Sequence, residues 1–480
     1  MSRVVILGGG VAGLTAAYRR KSEGETVVLE AGPAPGGSVK TVREGGFVVE
    51  GGPNTLRTSE AADRLIGDLG LEARVVKADP KAPRWIVRGG RPRAIVAGPG
   101  ALFNTVFSTR GKLRLLKEPF VPGRPADLED ESVASFFTRR FGEEAARYGA
   151  GPMVSGVYAG DADSLSMRSG FPRLWEAEGA AGSVIRGFLS KRKHDPAQRG
   201  TDEATGEGAE DSPRKGKSGP PEQSAGGRAP TRHRARTLTF DTGLYLLIET
   251  LQHGLSERPG CRIETNAAAV SVEGPLPSPG PRWRVRTADG RTFEADAILS
   301  TLDAPPLARL LGDRLPRSGA GLSAMKTSPV TVVALAWPEG PGSPKGFGAL
   351  VPRGEGIRSL GVLYPSSLFT GRAPAGSVLT TSFLGGALDP ALAAAPDADV
   401  LAVATEEAKR LHPGLTAPTL SWTFRWPAAI PQIPLLHHRT LAAVEDDLKT
   451  LPGLVLTGGW RDGIAMGERI ARGEAAGLAL

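Results

Sequence analysis

The sequence predicts an α/β fold on three observations. Val4, Val5, Ile6 and Leu7 make a short apolar strand that runs into Gly8-Gly9-Gly10-Val11-Ala12-Gly13, after which residues 14–21 have helical character. A second strand, Thr26-Val27-Val28-Leu29, ends in an acid, Glu30, seventeen residues beyond Gly13. A glycine doublet, Gly36-Gly37, follows that acid by six residues. Strand, glycine turn, helix, strand and acid in this register describe a Rossmann-like dinucleotide-binding unit. Gly8 allows the tight bend, Gly10 lets a pyrophosphate approach the backbone, and Gly13 lets helix and strand pack closely. The helix N-terminus adds unpaired N–H groups and a partial positive charge for the phosphates.

Glu30 chooses among nucleotides: it accepts hydrogen bonds from ribose hydroxyls and repels a 2′-phosphate, which favours FAD or NAD over NADP. Gly36, Gly37 and Ser38 then offer a second backbone turn along the same pyrophosphate, and nicotinamide-binding domains usually lack it. FAD is therefore the expected cofactor. The strand Phe47-Val48-Val49-Glu50 follows, with the turn Gly51-Gly52-Pro53-Asn54. Gly36 to Val42 together with Glu50 to Asn54 resemble the flavin-dependent amine oxidase and protoporphyrinogen oxidase superfamily, most closely its protoporphyrinogen oxidase branch.

Composition bounds the rest. A chain of 480 residues is too long for one core, so two or three domains are expected. With 40% hydrophobic and 23% charged residues it reads as globular. The single Cys261 excludes an internal disulfide framework and a cysteine metal site, and reads as a small core residue. No run reaches the eighteen apolar residues of a transmembrane helix, and the first strand begins at residue 3, so a cytoplasmic location is expected. The formal charge is +8, but the stretch from Ser190 to Arg236 holds eleven Lys and Arg against seven Asp and Glu, half of the excess. That stretch is rich in Gly, Pro and Ser and reads as a disordered charged loop over 190–236. It lacks interleaved aromatic residues, so nucleic-acid binding is not expected.

Further along, Glu60 to Leu69 reads as an amphipathic helix stopped by Gly70, and residues 82–93 as a hairpin around Gly89-Gly90. Taken alone Arg84 is a surface arginine; in the resemblance it matches the arginine that holds a substrate propionate, a task suited to a guanidinium. From Gly98 to Pro122, Leu102, Phe103, Val106 and Phe107 form one apolar cluster at helical spacing, and Leu113, Leu115, Leu116 and Phe120 another. Arg110, Lys112, Arg114 and Lys117 lie beside them, as a helix on an anionic bilayer requires. The resemblance implies peripheral membrane attachment through this region. Ser132 is the expected N-cap of a helix to Phe141.

The stretch Gly156-Val157-Tyr158-Ala159-Gly160-Asp161, then Leu165-Ser166 and Phe171-Pro172, is the part most similar to the protoporphyrinogen oxidase branch. By itself it reads as a glycine-rich loop between helices; the resemblance brings Gly156 and Gly160 close to a tetrapyrrole. The strands around Leu350, Leu363 and Phe383 match the branch's substrate domain, where apolar side chains pack on the macrocycle. The resemblance also places the backbone at Val270 against the adenine, Ser300-Thr301 near the phosphates, Trp426 near the flavin, and Gly459, Ile464 and Ala465 at a final helix facing the flavin. This chain has Gly458-Gly459 where the branch usually has Gly-Asn. No metal site is expected and no general base stands out, since His437 and His438 read as an exposed turn.

The predicted architecture is thus an α/β FAD-binding (Rossmann-like) domain from discontinuous segments (1–75, 240–304, 435–480), an α+β substrate-binding domain with an antiparallel sheet (76–84, 305–434), and a helical membrane-facing lobe (85–189). The implied activity is FAD-dependent oxidation of protoporphyrinogen IX, a hydride passing from a meso carbon to flavin with oxygen as acceptor. Coproporphyrinogen III is the alternative substrate. An amine oxidase, a carotenoid desaturase and a flavin-binding partner without turnover are the remoter readings, and a homodimer is left open.

Overall fold

The computed structural model describes residues 2–21, 24–95, 105–194, 233, 235–277 and 279–480. Val4–Leu7 is an unbroken apolar run, which suits a strand covered on both faces. It forms the middle of a five-stranded parallel sheet in the order Cys261–Glu264, Thr26–Leu29, Val4–Leu7, Ala297–Ser300, Leu454–Leu456. The helix Val11–Arg19 and the final helix Met466–Ala479 pack closely, Gly473 and Gly477 lying against the Ala12 and Ala16 carbonyls. The C-terminal strand ends therefore gather the Gly8 turn, Glu30, Thr301 and the turn after Leu456 at one edge, where open α/β sheets bind ligands.

The helix Glu60–Asp68 is capped by Ser59 Oγ, which accepts from Ala62 N–H, and Gly70 follows at φ +67°. A small antiparallel sheet (Ala269–Glu273, Trp283–Thr287, Thr292–Ala295) is inserted before the strand Ala297–Ser300.

The second large sheet has seven strands: Leu420–Pro431, Thr327–Pro338, Ser377–Gly385, Gly361–Leu363, Gly348–Leu350, Arg84–Arg88 and Arg91–Ile95. Two expectations are corrected here. The sheet is mixed, because Gly348–Leu350 pairs in parallel with Arg84–Arg88. The hairpin around Gly89-Gly90 belongs to this sheet, so residues 85–95 are not part of the helical lobe. One sheet face is covered by the helix Asp397–Leu411, whose Val400, Ala404 and Ala408 are buried against Val333, Leu335 and Trp337.

The helical lobe comprises Thr109–Leu116, Val133–Phe141, Gly151–Tyr158, Pro172–Ala181 and Val184–His194. Ser132 Oγ accepts from Ser135 N–H, as its N-cap position requires. Residues 151–158 are helical rather than a glycine-rich loop: Pro152 starts the turn and Ala159, at φ +46°, ends it. Residues 190–194 continue the helix Val184–His194, which shortens the expected charged loop; its residues 195–232 and 234 lie outside the described residues, as do Leu102 and Phe103. Val106 is no helix residue. It sits in a bend, buried against Ile86 and Tyr148. Among the described residues, no helix is long and apolar enough to cross a membrane.

Candidate functional site

The site begins where two glycine turns meet. Gly8 adopts φ +106°, reserved in practice for glycine, and Thr301 Oγ1 reaches over it to donate to the Leu7 carbonyl at 3.0 Å. A Cβ on Gly13 would overlap the Gly8 carbonyl oxygen. Gly36 N–H donates to Gly9 O at 2.9 Å and Gly10 bridges to Gly36, so the second turn lies alongside the first. No described atom lies within 4 Å of a Cβ built on Gly10. At Gly10 the cradle presents bare backbone to open space, which fits a pyrophosphate.

Glu30 ties both turns. Its Oε2 accepts Gly9 N–H at 2.9 Å and its Oε1 accepts Gly32 N–H at 2.7 Å. Asn266 and Ala267 donate their N–H groups to the carbonyls of Gly32 and Glu30, which brings the strand of Val270 beside the acid. Val270 itself is 55% exposed. A carboxylate at the second strand's end with an exposed apolar residue nearby suits a ribose and its adenine.

The third part of the cradle comes from Ser38, Gly52, Pro53 and Asn54. A Cβ on Gly52 would overlap Ser38 O, Asn54 Nδ2 donates to Gly52 O at 3.1 Å, and Trp426 Nε1–H donates to Gly51 O at 2.6 Å. Glu50 is buried and paired with Arg372 at 3.1 Å, while Thr41 and Leu244 N–H also donate to it. Burial pushes the Glu50 carboxyl up, against the pull of Arg372. At the far end, Ser59 Oγ donates to Gly467 O at 2.9 Å, which fixes the start of the final helix, with Ala465 as its cap, near this turn. Gly459 and Ile464 border each other in the preceding turn.

A sheet face adjoins the cradle. Strand register aligns Phe424, Val332, Phe383, Gly361, Leu350, Ile86 and Arg93 in one row. The next row on that face holds Leu363, Gly348 and Arg84. Residues two apart share a face, so Arg84, Leu350, Leu363 and Phe383 are on one surface. The Arg84 guanidinium stacks 4.8 Å from the Phe347 ring centroid. Gly156 closes over Leu350, whose Cδ2 a Cβ would overlap, and Gly160 sits against Gln432.

Sequence reasoning assigned no individual role to Phe424 or Gln432 and misread His437. Phe424 packs on Gly51, and the period-two run Trp422, Phe424, Trp426 was the available signal. Gln432 donates to Tyr158 O at 2.8 Å, joining strand to lobe. His437 is not on an exposed turn: it is 2% exposed, in the helix His437–Leu448, with Nε2 2.7 Å from Trp460 O. An adjacent His pair carries no period, so only the packing places it. Among the described residues, no cluster of His, Cys, Asp and Glu could hold a metal ion.

Comparison with known proteins agrees with this geometry. The profile of the flavin containing amine oxidoreductase family matches residues 11–467. The mitochondrial protoporphyrinogen oxidase of Nicotiana tabacum is 30% identical over 490 residues, covering 98% of this chain and 93% of the relative. The coproporphyrinogen III oxidase of Bacillus subtilis (strain 168) is 26% identical over 492 residues, covering 98% and 96%. A solved protein from Exiguobacterium sp. 255-15 superposes with a TM-score of 0.76 at 22% identity, covering 99% of this chain and 97% of that one. With the profile spanning nearly the whole length and a paired-turn cradle to match it, the chain belongs to the flavin containing amine oxidoreductase family and is a flavin-dependent oxidoreductase with FAD as its cofactor.

Proposed function

We propose that this flavoenzyme oxidises protoporphyrinogen IX to protoporphyrin IX in haem biosynthesis, with dioxygen as acceptor. The observation that carries the reading is the single sheet face bearing Arg84, Leu350, Leu363 and Phe383 beside the FAD cradle. The relatives' names point the same way. Bound FAD supplies the hydride-accepting chemistry. The chain's own residues bind and orient: Arg84, held by its stacking on Phe347, grips a carboxylate, and the leucines and Phe383 hold a flat apolar ring. Gly156 lets the helix Gly151–Tyr158 close directly on Leu350, and the apolar walls exclude water from the reacting carbon. In this reading the seven-stranded sheet is the substrate domain and Gly8, Gly10, Gly13, Glu30, Gly36, Gly37, Ser38, Gly52, Pro53, Asn54, Val270, Trp426, Gly459, Ile464 and Ala465 surround the cofactor.

Arg93 shares the row of Leu350 and Ile86, giving the face a second cation. That favours coproporphyrinogen III, with its additional carboxylates, as the alternative substrate. Porphyrin fluorescence in air with both porphyrinogens in parallel separates them: the faster substrate is the physiological class. Neither rate exceeding autoxidation overturns the reading. Arg84→Leu is expected to raise KM about tenfold with little change in kcat, because the anchor binds ground and transition states alike.

The lobe is proposed to rest on the cytoplasmic face of a membrane. Phe120 is 83% exposed, Leu116 57% and Leu113 55%, with Arg110 and Lys117 exposed beside them. Phe120→Ser is expected to lower partitioning onto phosphatidylserine vesicles about tenfold, measured by cosedimentation; unchanged partitioning argues against this docking. Light scattering would test the homodimer.

A further inference from the structure

The turn joining the strand Leu454–Leu456 to the final helix has little behind it. A cavity of about 810 Å³ is lined by Gly459–Ile464 of this turn, by Arg168 and Trp175 of the lobe, and by His437. None of the cradle's two glycine turns, and none of Arg84, Leu350, Leu363 and Phe383, lines it. Residues 458, 459 and 463 are glycines, with no side chains to anchor the backbone. The buried Trp460 indole anchors the middle of the turn in the core, and directed hydrogen bonds set the backbone around it. Gly458 N–H donates to Asp462 Oδ2 at 3.1 Å, a bond inside the turn. Trp460 Nε1–H donates to Leu302 O at 3.1 Å. Among the described residues, two bonds tie the turn to the helix His437–Leu448: Arg461 Nη2 donates to Oε1 of the exposed Glu445 at 2.6 Å, and the buried bond between His437 Nε2 and Trp460 O, at 2.7 Å, holds the backbone itself.

A carbonyl only accepts, so Nε2 carries the proton and the neutral ring leaves Nδ1 bare. Nδ1 is enclosed, with no hydrogen-bond partner among the described residues. Burial pushes the His437 imidazole below the usual histidine range, in keeping with this neutral tautomer. We infer that His437 is a positioning residue for the cofactor: its Nε2–H holds the Trp460 carbonyl and so sets the turn that presents Gly459 and Ile464 to the flavin. The inference rests on the reading that this turn borders FAD.

The test compares His437→Leu and His437→Gln with the wild-type full chain, stripped of FAD and titrated with it. The Gln amide offers an N–H at similar reach, whereas Leu fills the site without a donor. His437→Leu is expected to weaken FAD binding about tenfold and to shift the visible flavin absorption band. His437→Gln should restore both. Apo-protein thermal unfolding, expected to be alike in the two variants, separates this role from a loss of fold. Equal FAD affinity and equal spectra in the Leu variant and wild type would overturn the inference, as would a Gln variant impaired as badly as Leu. If wild-type apoprotein takes up no FAD at all, the placement of the cofactor fails first, and that outcome is distinct from either.

Discussion

Replacing Gly13 with alanine is expected to give a colourless protein with a lowered unfolding temperature. The added methyl would overlap the Gly8 carbonyl oxygen and lie 3.3 Å from Ile6 Cγ2, both on the strand and turn that shape the cradle. Overpacking of this kind costs about 1–3 kcal/mol or more. Because the carbonyl is backbone, relief requires moving Gly8 and Gly10 themselves. FAD affinity should fall about a hundredfold, by fluorescence titration of apoprotein. Gly10→Ala makes the informative partner. Gly10 sits at φ −71°, which any residue adopts, and its Cβ meets no described atom within 4 Å. That variant should unfold like wild type when apo and still lose FAD, since in the proposed placement the pyrophosphate takes the space that its methyl would enter. Wild-type FAD affinity in Gly10→Ala would mean that the phosphates run elsewhere.

The second large effect lies in the lobe. Arg140 and Glu118 are fully buried and ion-paired, and Glu178, also buried, stands 3.5 Å from Arg140. Glu118 further accepts from Ser183 Oγ at 2.7 Å, Val184 N–H at 2.9 Å and Ile185 N–H at 3.2 Å, capping the helix Val184–His194. Arg140→Met removes one partner and leaves buried carboxylates uncompensated. The expected loss is about 3–5 kcal/mol by denaturant unfolding of the lobe. A loss under about 1 kcal/mol would show that water or a rearranged arginine takes the place of Arg140. Acid should act in the same direction. Burial alone would raise the Glu118 carboxyl, but its donors, Ser183 and Arg140 foremost, hold it below the usual carboxylate range. A depressed acid binds fewer protons folded than unfolded, so its stabilisation is present above about pH 4 and lost as pH falls through the folded value. Arg140→Met should flatten that acid limb.

How much of this was legible in the chain depended on range. The first glycine turn, Glu30 and the doublet Gly36-Gly37 could be read because the whole supersecondary unit is local, and the structure sets the two turns together as that spacing implies. The Ser132 cap was similarly local. Gly156 misled, because glycines suggest a loop, yet here they let the helix Gly151–Tyr158 close on Leu350. The hairpin at Gly89-Gly90 was visible, but its membership in the seven-stranded sheet was not, since its partner strand Gly348–Leu350 lies far along the chain.

By itself, then, the sequence determined the dinucleotide-binding unit, the family resemblance and the residue types that could grip a carboxylate or face an apolar ring. Only the tertiary structure decided that Arg84, Leu350, Leu363 and Phe383 share a face, that Glu30 links two turns, and that His437 is buried against Trp460. The reason is physical: turns, caps and periodicity arise from neighbouring residues, whereas register, burial and tautomer depend on which distant strands and helices pack together.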